Sequence, residues 1–423
     1  MNATLDAAAV AGLGHEPLDW RFRQVPAGRT LAETAAARPN LFRDGFLGPF
    51  VAIDADALEH NLTTVADWAA RQGLAFAPHG KTTMAPALFA RQLALGAWAI
   101  TVAHAGQARV CRAFGVSRIV VANEFTDPGG LAWLAAELAD PGWEFLCFAD
   151  SVEAVALMTE GLAAAPRPVD VLVEIGMAGG RTGTRDLETA TAVARAIAAS
   201  PVLRLAGVAG YEGPAATAAD VAGLASVWSY LDTLRTAAVT LHPMVETPRT
   251  IVSAGGSAFF DVVAASLTGA WPMDVLPVLR SGAYVTHDDG FYRGVSPLGD
   301  TPRLAGVPKL RAALTGWAQV SSRPEPELAL LAAGKRDLPY DLGMPVPRLH
   351  RTAGGAAPLE GCAVTAMNDQ HAFLKVPADH PLAVGDWVGL GLSHPCTSFD
   401  KWPLLPVTAA DGETVVDFVR TFF

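Results

Sequence analysis

Between about residues 50 and 290 the chain alternates short apolar runs with longer stretches in which apolar residues recur every three or four positions. The runs at 74–77, 98–102, 118–122, 144–148, 169–175, 203–208, 250–254 and 279–285 predict eight buried strands. Between them lie amphipathic stretches rich in Ala and Leu. The stretch ahead of the first strand puts Leu58, Leu62, Val65, Ala66 and Ala69 on one helical face, with Asp54 or Asp56 placed to cap its start. Strand-then-helix units repeated at this length favour an α/β fold, a closed parallel (β/α)8 barrel. An open doubly wound sheet is the alternative, because strand order is not written in the pattern. No G-x-G-x-x-G follows a strand, so a dinucleotide-binding fold gains no support.

After about residue 290 the apolar runs shorten and are broken by Pro, Gly and Asp. Segments 315–320, 362–367, 372–376, 387–392 and 415–418 predict the strands of a smaller C-terminal β domain. The Pro-rich stretches 324–326 and 339–347 predict loops. The expected organisation is an N-terminal segment, 1–48, packing on the β domain; a barrel, 49–290; and the β domain, 291–423. Residues 399–406 and the terminal Phe422-Phe423 predict buried or interface apolar ends.

Composition narrows the classes. Hydrophobic residues make up 51% and charged residues 17%, which excludes a disordered chain. The net charge of −11 argues against nucleic-acid or anionic-membrane partners, while permitting a small basic pocket. No apolar run reaches the roughly 18 residues of a membrane span. The start, MNATLDAAAVAGLGHEPLDW, has no Lys or Arg before its weak apolar stretch, so a secretory signal is not expected. The four cysteines show no C-x-x-C spacing, which makes a reducing cytoplasm the expected location.

In a barrel of this kind chemistry collects where strands end. The predicted ends carry Pro78-His79-Gly80-Lys81-Thr82-Thr83, then His104, then Asn123-Glu124, then a Gly-rich run 176–183 with Arg181. Gly210-Tyr211-Glu212-Gly213 and Gly255-Gly256-Ser257 follow; Tyr284 lies in the eighth run, before His287-Asp288-Asp289. A lysine at the barrel mouth loses hydration, which lowers its pKa and frees the amine for Schiff-base chemistry. The plain alternative for Lys81 is a surface loop. Gly255, Gly256 and Ser257 precede an apolar helical run, so their amides and the positive helix end suit a phosphate; a simple turn is the alternative. The glycines around Arg181 would let backbone approach a ligand, where an exposed ion-pairing arginine is the alternative. In Ser393-His394-Pro395-Cys396, His394 and Cys396 stand two apart on a segment read as extended, facing one side. Both are zinc ligands, and two ligands leave positions open for water or substrate; a chance pairing is the alternative. His371 is a further polar residue in that domain.

Taken in order, Pro-His-x-Lys-Thr, the Gly-rich Arg181 loop, Tyr-Glu-Gly, Ser-Ala-Gly-Gly-Ser and a late His-x-Cys resemble the D-serine dehydratase and D-threonine aldolase family. These are pyridoxal-phosphate enzymes of the alanine-racemase fold type, and the resemblance spans about residues 50–403. It implies that Lys81 carries pyridoxal 5'-phosphate and that His79 stands beside it, both catalytic. It implies that Arg181 approaches the pyridine nitrogen, that Tyr211 lies near the cofactor, and that Gly255, Gly256 and Ser257 hold the phosphate with help from Tyr284. It implies a divalent metal on His394 and Cys396, zinc or else manganese, a small amino acid as substrate, and a homodimer. Where the family often continues His-x-Lys-Thr-His-Lys, this chain has Thr83 and Met84, so a second basic residue is missing. The aldolases tend to carry His-x-Asp and the dehydratases His-x-Cys. Cys396 therefore favours β-elimination from a small D-β-hydroxy amino acid to a 2-oxo acid and ammonia. Retro-aldol cleavage to glycine and an aldehyde is the alternative, and a non-catalytic pyridoxal-phosphate-binding protein the second. A racemase would give His394 and Cys396 no role.

Overall fold

The computed structural model describes residues 2–423. The amphipathic stretch is the helix Ala55–Arg71, capped by Asp54, whose carboxylate accepts from the Ala57 amide at 2.7 Å. Eight parallel strands follow: Ala75–Phe76, Ile100–Val102, Arg118–Glu124, Glu144–Ala149, Val169–Ile175, Leu203–Gly210, Thr250–Ala254 and Val275–Leu279. The eighth pairs with the first through Ala75–Val278 and Phe76–Leu279. The first meets the second by the His79–Thr101 bridge, with Trp98 N donating to Phe76 O at 2.6 Å and Thr101 N to Pro78 O at 2.9 Å. The sheet thus closes on itself as a barrel, and the open sheet is excluded.

Side chains alternate along each strand. In the fifth, Val171 and Val173 join the main core, while Leu172 belongs to a separate inner cluster with Ala77, Ala99, Phe148, Ala206 and Ile251. That inner cluster plugs the barrel, so polar groups at the strand ends stand on a filled floor.

The second unit is a ten-stranded sheet. At its centre Phe50–Asp54 pairs antiparallel with Leu314–Glu325 and parallel with Leu404–Thr408. Residues 50–54 therefore lie in the β sheet, outside the barrel for which 49–290 was expected. A strand entering from the N-terminal side can complete the later sheet because Leu314–Glu325 returns alongside it. The expected packing of 1–48 also divides. Leu18, Phe22, Leu31 and Leu41 pack on the β sheet with Trp317 and Phe418. Residues at the very start bond the barrel instead: Ala3 N donates to Ala97 O at 3.3 Å, and Asp6 N to Phe114 O at 2.9 Å. Phe399 and Trp402 are buried, and Phe422 N donates to Met84 O at 2.9 Å, which fastens the chain's end beneath the barrel mouth.

The eighth strand runs over Val275–Leu279, earlier than the 279–285 expected. Pro277 lies within it, although proline lacks a ladder donor. It pairs with Val252 nonetheless. Residues 283–285 are instead a turn of 3-10 helix. Among the described residues no helix is long and apolar enough to cross a membrane, and the four cysteines are free thiols.

Candidate active site

A cavity of about 310 Å³ opens at the carboxyl ends of the barrel strands. His79, Lys81, Arg181, Tyr211, Gly255, Gly256, Ser257, His394 and Cys396 all line it. They come from five separate segments, and the last two come from the β domain.

Lys81 sits in a single 3-10 turn, Gly80–Thr82, directly after the first strand. Gly80 is required there: a Cβ would lie 2.8 Å from Ile100 Cγ2 and 2.9 Å from Phe89 Cε1. Burial pulls the Lys81 amine below its usual range; Cys396 opposes that, and Arg181 and Arg280 reinforce it. His79 is half-buried in the cavity wall, and burial followed by Lys81 holds its imidazole well below the ordinary value, so the ring is neutral. Its Nδ1 has no partner. Thr83 and Met84 are buried under the turn, and neither lines the cavity.

The opposite wall is glycine. Gly255 has φ +110, and a Cβ there would meet Leu279 Cδ1 at 2.3 Å. A Cβ on Gly256 would stand 2.7 Å from Tyr211 Cε2. The Glu212 carboxylate accepts from Gly255 N at 3.0 Å and Gly256 N at 2.7 Å, fixing the turn from below. Burial raises the Glu212 carboxyl against those two amides. Ser257 Oγ accepts from Ala283 N at 3.0 Å, and Ser281 Oγ donates to Gly256 O at 2.7 Å. The loops after the seventh and eighth strands are thereby tied into one cradle, the usual phosphate position of such barrels.

Tyr284 is not part of it. The 3-10 turn carries its ring against Phe76 and its hydroxyl to Gln92 Nε2 at 3.0 Å, outside the cavity. His371 is exposed in a turn of the β domain and also lies away from the site. The Arg181 guanidinium stacks over the Tyr211 ring, 4.8 Å from its centroid. Burial pushes the Tyr211 phenol up to about 12.

Several contributors escaped the sequence. Arg280 is buried, donates to Ser253 Oγ at 2.9 Å and lies 5.1 Å from the Phe148 centroid. It is the first residue after the true eighth strand, so the misplaced strand hid it. Glu174 projects inward from the fifth strand one turn of the pleat beyond Leu172. Burial, then the neighbouring Glu174, pushes Glu124 up to about 9, so one proton is kept in this carboxyl pair at neutral pH. Thr82 and Tyr292 complete the lining nearest the β domain.

The segment carrying His394 and Cys396 is not extended. His394 has φ +59, and Cys396 opens the short helix Cys396–Phe399. Both side chains reach the cavity all the same, close enough that each shifts the other's ionisation. Burial alone would lower the imidazole, but Cys396 and Asp341 overcome it and hold His394 up at about 9. Burial likewise raises the thiol, and His394, Thr82 and Lys81 outweigh it, leaving Cys396 below its usual value. The thiol stands 3.4 Å from Thr82 Oγ1, one residue from Lys81.

These residues fit pyridoxal phosphate and a cation. A partly desolvated amine faces a cradle too tight for any Cβ, and Arg181 and Arg280 supply positive charge for an anion. Imidazole plus thiolate is a zinc-type donor pair. A weakened cradle tests the first fit. Gly256→Ala should force the Tyr211 ring aside at about 1–3 kcal/mol, which is about 5–150-fold in cofactor affinity. Titration by visible absorbance measures it, and an unchanged affinity would remove Gly256 from the phosphate site.

Two family models match the chain: "Alanine racemase, N-terminal domain" over residues 53–267, and "Putative serine dehydratase domain" over residues 313–408. A D-threonine aldolase from Arthrobacter sp is 27% identical over 339 residues, 78% of this chain and 80% of that protein. The crystal structure of D-threonine aldolase from Filomicrobium marinum superposes with a TM-score of 0.76 at 26% identity, covering 89% of this chain and 95% of that one. D-threo-3-hydroxyaspartate dehydratase from Delftia sp. HT23 has the same fold, with a TM-score of 0.74 at 22% identity over 91% of this chain and 99% of that one. The chain therefore belongs to the alanine racemase N-terminal domain family and, with its serine dehydratase domain, to the D-serine dehydratase and D-threonine aldolase group of pyridoxal-phosphate-dependent lyases.

Proposed function

We propose that the protein is a pyridoxal-phosphate- and divalent-metal-dependent dehydratase of small D-β-hydroxy amino acids, forming a 2-oxo acid and ammonia. The observation that carries this is the contact of Cys396 with Thr82, which sets an imidazole and a thiol from the β domain beside Lys81 of the barrel. Lys81 would carry the cofactor, Gly255, Gly256 and Ser257 would receive its phosphate, and Arg181 and Tyr211 would flank its ring. His394 and Cys396 would hold the cation, with zinc favoured by the soft thiolate.

Bound pyridoxal phosphate supplies a carbonyl for the substrate amine and an electron-accepting ring. A cation at His394 and Cys396 supplies Lewis-acid help to a poor leaving group, hydroxide. The chain does the rest. Lys81 Nζ would take the proton from the substrate Cα; its lowered pKa keeps a share of the amine neutral for that task. His79, neutral and half-buried, stands beside the lysine turn and adds no competing charge. Arg181 offers its guanidinium to an anionic ligand. Tyr211, held protonated by burial, can donate but not accept charge. The reading includes a homodimer working in the cytoplasm.

Retro-aldol cleavage is the second reading, favoured by the similarity to two D-threonine aldolases. It places the same residues around the same hydroxyl, but the proton leaves oxygen and the Cα–Cβ bond breaks. D-Threonine separates the two. Release of 2-oxobutyrate is the expected result, and glycine with acetaldehyde would reverse the assignment. Turnover of neither, with cofactor bound, would leave a pyridoxal-phosphate carrier.

A further inference from the structure

The loop that precedes the sheet strand Val346–Thr352 brings a carboxylate to the imidazole of His394. One oxygen of Asp341 bonds His394 Nδ1, and the other accepts from Thr397 Oγ1 at 2.8 Å. Both oxygens of one side chain thus end on the turn 394–397. The same turn is held from its far side by the barrel. The His394 amide donates to Asp288 Oδ2 at 3.0 Å, and Asp288 Oδ1 accepts from Gly290 N and Arg293 N, each at 3.1 Å. His394 needs such support, because a φ of +59 is unfavourable for a side chain of its size.

We propose that Asp341 is the positioning residue for the metal-binding imidazole; this rests on the metal-dependent reading above. Once the ring gives up its extra proton to a cation, a carboxylate on Nδ1 selects the tautomer whose Nε2 lone pair is free, and fixes the plane of the ring. Nε2 is then the nitrogen left for a cation shared with Cys396. A stabilising ion pair is the competing account. It is weak here, because the Asp341 side chain is 42% exposed, and exposed pairs add little to stability. Asp341 is therefore placed to act on the ligand rather than on the fold. It has no contact with the cavity itself and is not a catalytic residue.

The test uses the full chain with pyridoxal phosphate bound and divalent metal stripped by a chelator. Affinities for Co²⁺ and Zn²⁺ are read by competition with a chromogenic chelator. Asp341→Ala should bind each ion about 10–100-fold more weakly. Asp341→Asn keeps an acceptor oxygen for Nδ1–H and should recover most of that loss. The thiolate-to-Co²⁺ charge-transfer band from Cys396 should persist in both, which a disrupted turn would not allow. Affinity in Asp341→Ala within about twofold of the parent would overturn the proposal. Should that variant fail to fold, Thr397→Val, which drops one of the two bonds on Asp341, should show a smaller loss; an unchanged affinity there overturns it equally. If the parent binds neither ion, or His394→Ala binds as well as the parent, the metal reading falls and this one with it. If His394→Ala loses the ion while Asp341→Ala keeps it, this proposal alone fails.

Discussion

Lys81→Ala should lose at least about 10³-fold in turnover, because the group proposed to carry the cofactor is also the one proposed to move the Cα proton. The geometry leaves no stand-in. His79 is held neutral, and the family's usual second basic positions are Thr83 and Met84, which lie under the turn rather than in the cavity. The variant should still fold, since the lysine side chain is half-buried at the cavity edge and fills no core space. Borohydride reduction followed by peptide mapping should place a pyridoxyl label on Lys81 in the parent and on no peptide in the variant. The attachment should also depend on pH in a set direction. Burial lowers the amine's pKa, so the neutral, nucleophilic form gains population as pH rises and is already present below the pH at which a free lysine would supply it. Label on a different lysine, or turnover retained in Lys81→Ala, would overturn the proposed active site.

Much of this site was legible because barrel topology turns position along the chain into position in space. Once seven of the eight strands are read, whatever follows each one stands at the same end. That is why His79, Lys81, Arg181, Tyr211 and Gly255–Ser257 could be gathered from sequence alone. The failures have local causes. Pro277 disguised a strand that tolerates it, so Arg280 was missed and Tyr284 was placed on a strand it does not occupy. Phe50–Asp54 has the pattern of any buried strand, and nothing local says that its partners are Leu314–Glu325 and Leu404–Thr408. His394 and Cys396 were paired for the wrong reason: a left-handed histidine and a helical turn bring them together where an extended segment was expected. Asp341 lies 53 residues from His394, in a stretch that reads as loop, and only folding shows that they touch.

Removing the cation should cost about 10²–10³-fold in turnover, the equivalent of the several kcal/mol that Lewis-acid polarisation supplies to a poor leaving group. His394→Ala and Cys396→Ala should reproduce the loss that a chelator causes in the parent. Added Zn²⁺ should restore the chelated parent and neither variant. The cofactor should stay in place throughout, because Lys81 and the glycine cradle belong to the barrel while both proposed metal ligands belong to the β domain. This split is what gives the experiment its force. A variant that kept its visible cofactor band but lost turnover would separate the two halves of the site, one holding the substrate amine and the other its hydroxyl. Cys396→Asp offers a sharper version, since it replaces a soft donor by a hard one at the same position. It should shift metal preference from Zn²⁺ towards Mn²⁺ or Mg²⁺. Full activity in chelator, with His394→Ala indistinguishable from the parent, would show that the imidazole–thiolate pair is a structural contact between the two domains and that elimination proceeds without it.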